Sequence, residues 1–173
     1  MVALLQSYKP TLYYHVVNWK LTEMGWIKCN TGGASKGNPR QSSYGFYIRN
    51  HTGELLYVEA QSIGVTTNID AESMAIWKAL QYCLSQGFEQ VSLETNSLTL
   101  KNILVRNWKT PWELVERVED IQEIMSHMDV TIKHIFRKVN QLADYIANVA
   151  INKVEKQQSQ NFNKLPITLL MLR

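Results

Sequence analysis

Asn30-Thr31-Gly32-Gly33-Ala34-Ser35-Lys36-Gly37-Asn38-Pro39 is the stretch on which the reading of the whole chain turns. Just before and into it, Trp26-Ile27-Lys28-Cys29-Asn30-Thr31 alternates as a strand does. The glycines and proline of Gly32–Pro39 then predict a turn leaving that strand. On the far side, Ser43-Tyr44-Gly45-Phe46-Tyr47-Ile48-Arg49 is rich in aromatic and branched residues and predicts a second strand. His51-Thr52-Gly53 is a hairpin turn, and Leu55 to Ile63 supplies a third strand. Three strands joined by short turns imply an antiparallel meander.

Further along, the period changes. Ala71, Met74, Ala75, Leu80, Cys83 and Leu84 fall on one side of a helix, with Asn68 or Asp70 as its cap and Gly87 as its end. Val91-Ser92-Leu93-Glu94-Thr95 is a short strand, and Ser97 to Arg106 a short helix. Pro111 opens a helix whose apolar side carries Trp112, Leu114, Val115, Val118, Ile121, Ile124 and Met125. Val130 to Ile135 alternates as a fifth strand, and Gln141 to Asn152 is a last amphipathic helix. The expected division is an extended leader at 1–25, one α/β domain at 26–152 and a mobile tail at 153–173. A meander followed by alternating helices and strands makes a mixed five-stranded sheet with helices on its faces.

Composition narrows the function classes. The chain has 173 residues, enough for one domain with a sizeable core. A net charge of +3 is compatible with nucleic acid without demanding it. Cys29 and Cys83 are the only cysteines and lie in apolar segments, which reads as an intracellular protein with reduced thiols, nucleus or cytoplasm left open. No Cys/His cluster suggests zinc. No apolar run reaches the roughly eighteen residues a membrane helix needs, and Met1 to Gln6 lacks the basic start of a signal peptide.

Four motifs fall in order on these elements: Asn30–Pro39 on the first strand, Thr67-Asn68-Ile69-Asp70-Ala71-Glu72 at the first helix, Glu94-Thr95-Asn96-Ser97 after the fourth strand, and His134 through Asp144 before and into the last helix. Together they resemble the ribonuclease H-like superfamily over residues 26–152, in wording closest to the reverse-transcriptase-associated domains of plant retroelements. The flanks Trp19-Lys20, Gly25-Trp26-Ile27-Lys28 and Leu165-Pro166 are similar to those of such polyproteins.

The resemblance implies a ribonuclease H-like fold and a nuclease that cuts the RNA strand of an RNA–DNA hybrid. In that family four carboxylates hold two Mg²⁺ ions, one activating water and the other stabilising the leaving oxygen. Glu72 matches the second carboxylate and Asp144 the fourth, and both are the expected metal ligands here. Gly32 stands where the first aspartate belongs and Asn96 where the third belongs. Glycine offers no ligand and asparagine no charge, so Mg²⁺ binding is expected to be weak or absent and cleavage impaired. Asp70 and Glu94 are the nearest candidates to compensate, and neither fits the pattern well. His134 matches the family histidine that assists catalysis, or is simply a histidine at a sheet end.

For nucleic-acid contact the resemblance points to Lys36, Asn38, Asn68, Arg137, Lys138 and Gln141, with Arg40 and Arg49 nearby; an ordinary solvated charge set is the plain alternative. The expected partner is RNA–DNA hybrid or RNA, bound by a monomer with no membrane involved. Three functions stay open: a binding module with little or no cleavage, an active hybrid ribonuclease with compensating ligands, and a decayed retroelement fragment.

Overall fold

The computed structural model describes residues 20–151, and the backbone of 157–159. The expected leader falls outside the described residues except for 20–25, and the expected tail except for Gln157–Ser159.

The elements run β1 (Ile27–Ser35), β2 (Arg40–Arg49), β3 (Leu55–Thr66), α1 (Asn68–Ser85), β4 (Gln90–Thr95), α2 (Leu98–Leu104), a 3₁₀ turn (Trp112–Leu114), α3 (Val115–Ser126), β5 (Asp129–His134), α4 (Gln141–Ala150) and β6 (Gln157–Ser159). The sheet order is β5-β4-β1-β2-β3-β6. β1, β2 and β3 pair antiparallel, and β4 and β5 join β1 in parallel. The expected five strands are therefore present with the expected meander. A short sixth, from residues assigned by sequence to the tail, pairs antiparallel with the outer edge of β3.

The sheet divides two layers by the period of its strands. Cys29, Phe46, Ile48, Val91 and Leu93 point to one face and pack on Ala75, Ile76, Ala79 and Leu80 of α1 and Ile121 of α3. Tyr47, Val58 and Ala60 point to the other and pack on Leu142, Ala143, Ile146 and Ala150 of α4.

The Gly32-Gly33 pair corrects the sequence reading. It is not a turn: β1 continues through it to Ser35, with Gly32 opposite Gly45 of β2. The glycines serve close approach instead. A Cβ on Gly33 would lie 2.5 Å from the backbone nitrogen of Glu72, and one on Gly45 would lie 2.7 Å from that of Ala147. Thus α1 and α4 press against opposite faces of the same two strands, where side chains are missing. The cap is neither Asn68 nor Asp70, the two residues expected. Thr67 caps α1, its hydroxyl accepting from the Asp70 N–H at 3.2 Å. Gly87, at φ 71°, does end it, through its N–H to the Leu84 carbonyl at 3.0 Å.

Candidate functional site

β1 and β4 are neighbours in parallel, but the chain leaves β1 toward β2 and leaves β4 on the other side. The open end between their carboxyl termini is the switch point at which α/β sheets place ligands. The four positions marked by the sequence gather there. Gly32 lies on β1, facing α4: a Cβ built on it would be 3.2 Å from Asp144 Oδ1. Glu72, just past the first turn of α1, lies against Gly33 on the opposite face, with its Cγ 2.8 Å from where that residue's Cβ would be. Asn96 follows β4, and its amide oxygen accepts from Asn140 Nδ2 at 3.3 Å. Asp144 follows Asn140 by one turn of α4, its N–H bonded to the Asn140 carbonyl at 3.1 Å.

Both carboxylates are buried, and neither is fully partnered. Glu72 Oε1 accepts a long hydrogen bond from Asn68 Nδ2 at 3.4 Å, while Oε2 has no hydrogen-bond partner. Asp144 Oδ2 pairs with Arg137 Nε at 2.7 Å, while Oδ1 is unpartnered. Burial without compensation disfavours the charged form. Burial, reinforced by the nearby Asp144 charge, pushes the Glu72 carboxyl up to about 7, against the pull of Asn68 and Arg137. Burial also raises Asp144, although Arg137 opposes it.

Two buried, unpartnered carboxylate oxygens whose groups feel each other's charge are what a single hard cation would use. They do not make a site for two. Among the described residues no group of three or more His, Cys, Asp or Glu side chains is placed to hold a metal. The suggested substitutes are engaged elsewhere. Glu94 accepts from Lys28 Nζ at 2.7 Å and Asn30 Nδ2 at 2.9 Å, and Asp70 Oδ2 accepts from the hydroxyls of Thr66 and Thr67 at 2.8 and 2.5 Å. Burial raises Asp70, yet those hydroxyl bonds outweigh it and hold its carboxyl below the usual range.

His134 pairs with Thr95 at the end of β5, beside the cleft, with its ring edge-on to Phe136 at 6.0 Å. Among the described residues it hydrogen-bonds neither carboxylate. Lys36, Asn38, Asn68, Arg137, Lys138 and Gln141 are all exposed. They form two rims. Asn38 Oδ1 accepts from the Asn68 N–H at 3.1 Å, tying the β1–β2 turn to α1. Arg137, Lys138 and Gln141 border the entry to α4.

Sequence reasoning overlooked Asn140 and Asn30. Asn140 is fully buried and donates to the Thr31 carbonyl at 2.7 Å, so it holds the start of α4 against β1. Asn30 bridges Glu94 to Asn140, at 2.9 and 3.4 Å. The signal available was the polar alternation Lys28, Asn30 inside an otherwise apolar strand.

Comparison with known proteins agrees with this layout. Residues 30–150 match the family described as reverse transcriptase-like. A protein of Arabidopsis thaliana with ribonuclease H in its name is 29% identical over 79% of this chain, and ribonuclease HI of Halobacterium salinarum is 30% identical over 74%. The chain spans 22% of the plant relative and 65% of the archaeal one. Among solved structures, RNase H1 of Halobacterium salinarum has a TM-score of 0.71 at 27% identity, covering 75% of this chain and 99% of that one. LC11-RNase H1, solved in complex with RNA/DNA hybrid, has a TM-score of 0.69 at 30% identity, covering 73% and 97%. With its meander, its parallel β4 and β5, and its helices α1 and α4 meeting at one sheet end, the chain belongs to the reverse transcriptase-like family and has the ribonuclease H fold.

Proposed function

We propose that this domain holds RNA–DNA hybrid, or RNA, across the open end of β1 and β4, and cleaves it weakly or not at all. The observation that carries the reading is a pair of positions, Gly32 within β1 and Asn96 just after β4, which stand where the family resemblance puts metal-binding acids, leaving Glu72 and Asp144 alone. Paired-ion hydrolysis needs charge to bring two cations together and to activate water. Two carboxylates, each pushed toward its neutral form, supply at most two negative charges.

Binding asks less. Lys36, Arg137 and Lys138 can meet phosphates, while Asn38, Asn68 and Gln141 can read sugar hydroxyls and backbone shape. The hybrid held by LC11-RNase H1 in its solved complex supports this choice of ligand. If bound, a divalent ion would rest on Glu72 and Asp144 and supply Lewis-acid stabilisation of phosphate charge. The chain's own part is to position that phosphate between the two rims.

The test is fluorescence anisotropy with labelled hybrid, duplex RNA and duplex DNA, run beside a cleavage assay with and without Mg²⁺. Salt-sensitive hybrid binding without Mg²⁺-dependent cleavage is expected. Vigorous cleavage would favour the active-nuclease reading, for which the two unpartnered oxygens are the supporting observation. Absence of binding to any of the three would favour a decayed retroelement fragment.

A further inference from the structure

We propose that Arg137 serves as a built-in cation for this reduced acid cluster and competes with a divalent metal ion for Asp144. The inference rests on reading Glu72 and Asp144 as the remains of a metal site.

Arg137 lies in the segment between β5 and α4, seven positions before Asp144. Its backbone surroundings are held. The Ile135 N–H bonds the Thr95 carbonyl at 2.9 Å, and the Asn140 N–H bonds the Arg137 carbonyl at 3.0 Å. From this anchored position the side chain reaches Asp144 Oδ2 through Nε at 2.7 Å. The two partners differ in exposure: the Arg137 side chain is 72% exposed and that of Asp144 12%. A solvent-side cation therefore closes onto a buried anion, and it can withdraw into water without unpacking the core.

Charge makes the competition explicit. Glu72 and Asp144, both ionised, carry two negative charges, and Arg137 cancels one. What is left does not match a divalent ion. With Arg137 displaced, the two carboxylates match one such ion, and the unpartnered oxygens of Glu72 and Asp144 are already unclaimed by any donor. The ligand class is a hard, oxygen-seeking divalent cation such as Mg²⁺ or Mn²⁺. Arg137 also stays protonated throughout the working range. Its occupancy is thus set by competing ions and not by protonation of the guanidinium.

The experiment is Mn²⁺ titration of the full chain without nucleic acid, with free Mn²⁺ read by electron paramagnetic resonance. Arg137→Gln should bind Mn²⁺ about three- to tenfold more tightly than the unmodified chain, the range expected for removing one exposed ion-pair partner and its repulsion of the ion. Adding Asp144→Asn to that variant should abolish the gain. Equal or weaker binding by Arg137→Gln, no binding by either protein, or a gain that survives Asp144→Asn overturns the proposal.

A second measurement needs no substitution. In the unmodified chain, the Arg137 Nε–H resonance should move saturably toward its free-solvent position as MgCl₂ is added. A resonance that keeps its paired position throughout the titration overturns the competition. Hybrid binding is measured separately and without metal. Its failure would sink the proposed function and leave the cation result standing, and the reverse also holds.

Discussion

Glu94 and Glu72 are equally buried, at 7% and 6% exposed, and are otherwise opposites. Glu94 has a cation on one oxygen and an amide on the other, Lys28 at 2.7 Å and Asn30 at 2.9 Å. Glu72 has one long bond from Asn68 and an oxygen with no partner. Glu94 lies against Lys28 and Asn30 in the first half of β1, and Glu72 against Gly33 farther along the same strand. A buried carboxylate that is paired and hydrogen-bonded is part of the scaffold; one left wanting marks a place where something else is meant to bind. Burial alone does not separate the two; partner count does.

The largest expected effect comes from refilling the side of the comparison that is lacking. Gly32→Asp together with Asn96→Asp should create Mg²⁺-dependent cleavage of RNA–DNA hybrid, with a gain on the order of a thousandfold or more, about 4 kcal/mol of barrier. Each single substitution should recover much less, since the ligands act as a unit. The change at Gly32 is not free: its new Cβ would sit 3.1 Å from the Ala143 carbonyl carbon and 3.2 Å from the Asp144 nitrogen, so the start of α4 must yield by a few tenths of an ångström. A folded double variant that stays inert in a hybrid cleavage assay would mean that Glu72's unpartnered oxygen is no remnant of a ligand set.

Breaking the satisfied side should cost stability. Glu94→Gln leaves the buried Lys28 ammonium its bond to the Lys20 carbonyl but no counter-charge in Glu94, and a loss of about 3–5 kcal/mol is expected in urea unfolding at neutral pH. A loss under about 1 kcal/mol would show that the Lys28–Glu94 pair is better solvated than its geometry indicates.

The unsatisfied side should respond in the opposite direction. Glu72→Gln removes a charge the fold holds at a loss, so the variant should be the more stable by on the order of 2–3 kcal/mol at pH 8. The sign follows from a folded value near 7 against an ordinary 4.5. In the unmodified chain the penalty is fully present above 7 and shrinks as pH falls and the folded carboxyl takes its proton. By about 4.5 the two proteins should converge, as denaturation at pH 8, 6 and 4.5 would reveal. A stability difference independent of pH would contradict this account.

The smallest effect concerns the lone donor. Asn68→Ala should change stability by no more than about 0.5 kcal/mol, because a 3.4 Å bond to Glu72 contributes little. Asn30→Ala, which removes a 2.9 Å donor from Glu94, should cost about 1.5–3 kcal/mol. Equal losses for the two in parallel unfolding curves would erase the distinction drawn between the carboxylates.

Much of this arrangement was legible in the chain itself, because the period-two and helical patterns are local and the motifs occur in order. The meander and the mixed five-stranded sheet followed from them. Gly32-Gly33 misled, because two glycines beside Lys36-Gly37-Asn38-Pro39 look like a turn, while their reason for being glycine lies in Ala71, Glu72 and Ala143, far away in sequence. The Arg137–Asp144 pair was hidden likewise: Arg137 read as a phosphate contact, and only the course of the chain between β5 and α4 brings it onto the acid. Asn140 drew no separate reading, since its buried amide contacts reach back more than a hundred residues.

The closeness of α4 to Gly32 has a consequence for substitution there. The α4 backbone lies 3.1 Å from where a side chain at Gly32 would begin, closer than ordinary van der Waals contact. An aspartate there would meet the start of α4 at that distance, with Arg137 already paired to Asp144 beside it. The cost is unequal in the two directions: glycine fits beneath α4 as it lies, whereas any side chain at this position requires backbone atoms of α4, and not merely a flexible side chain, to give way.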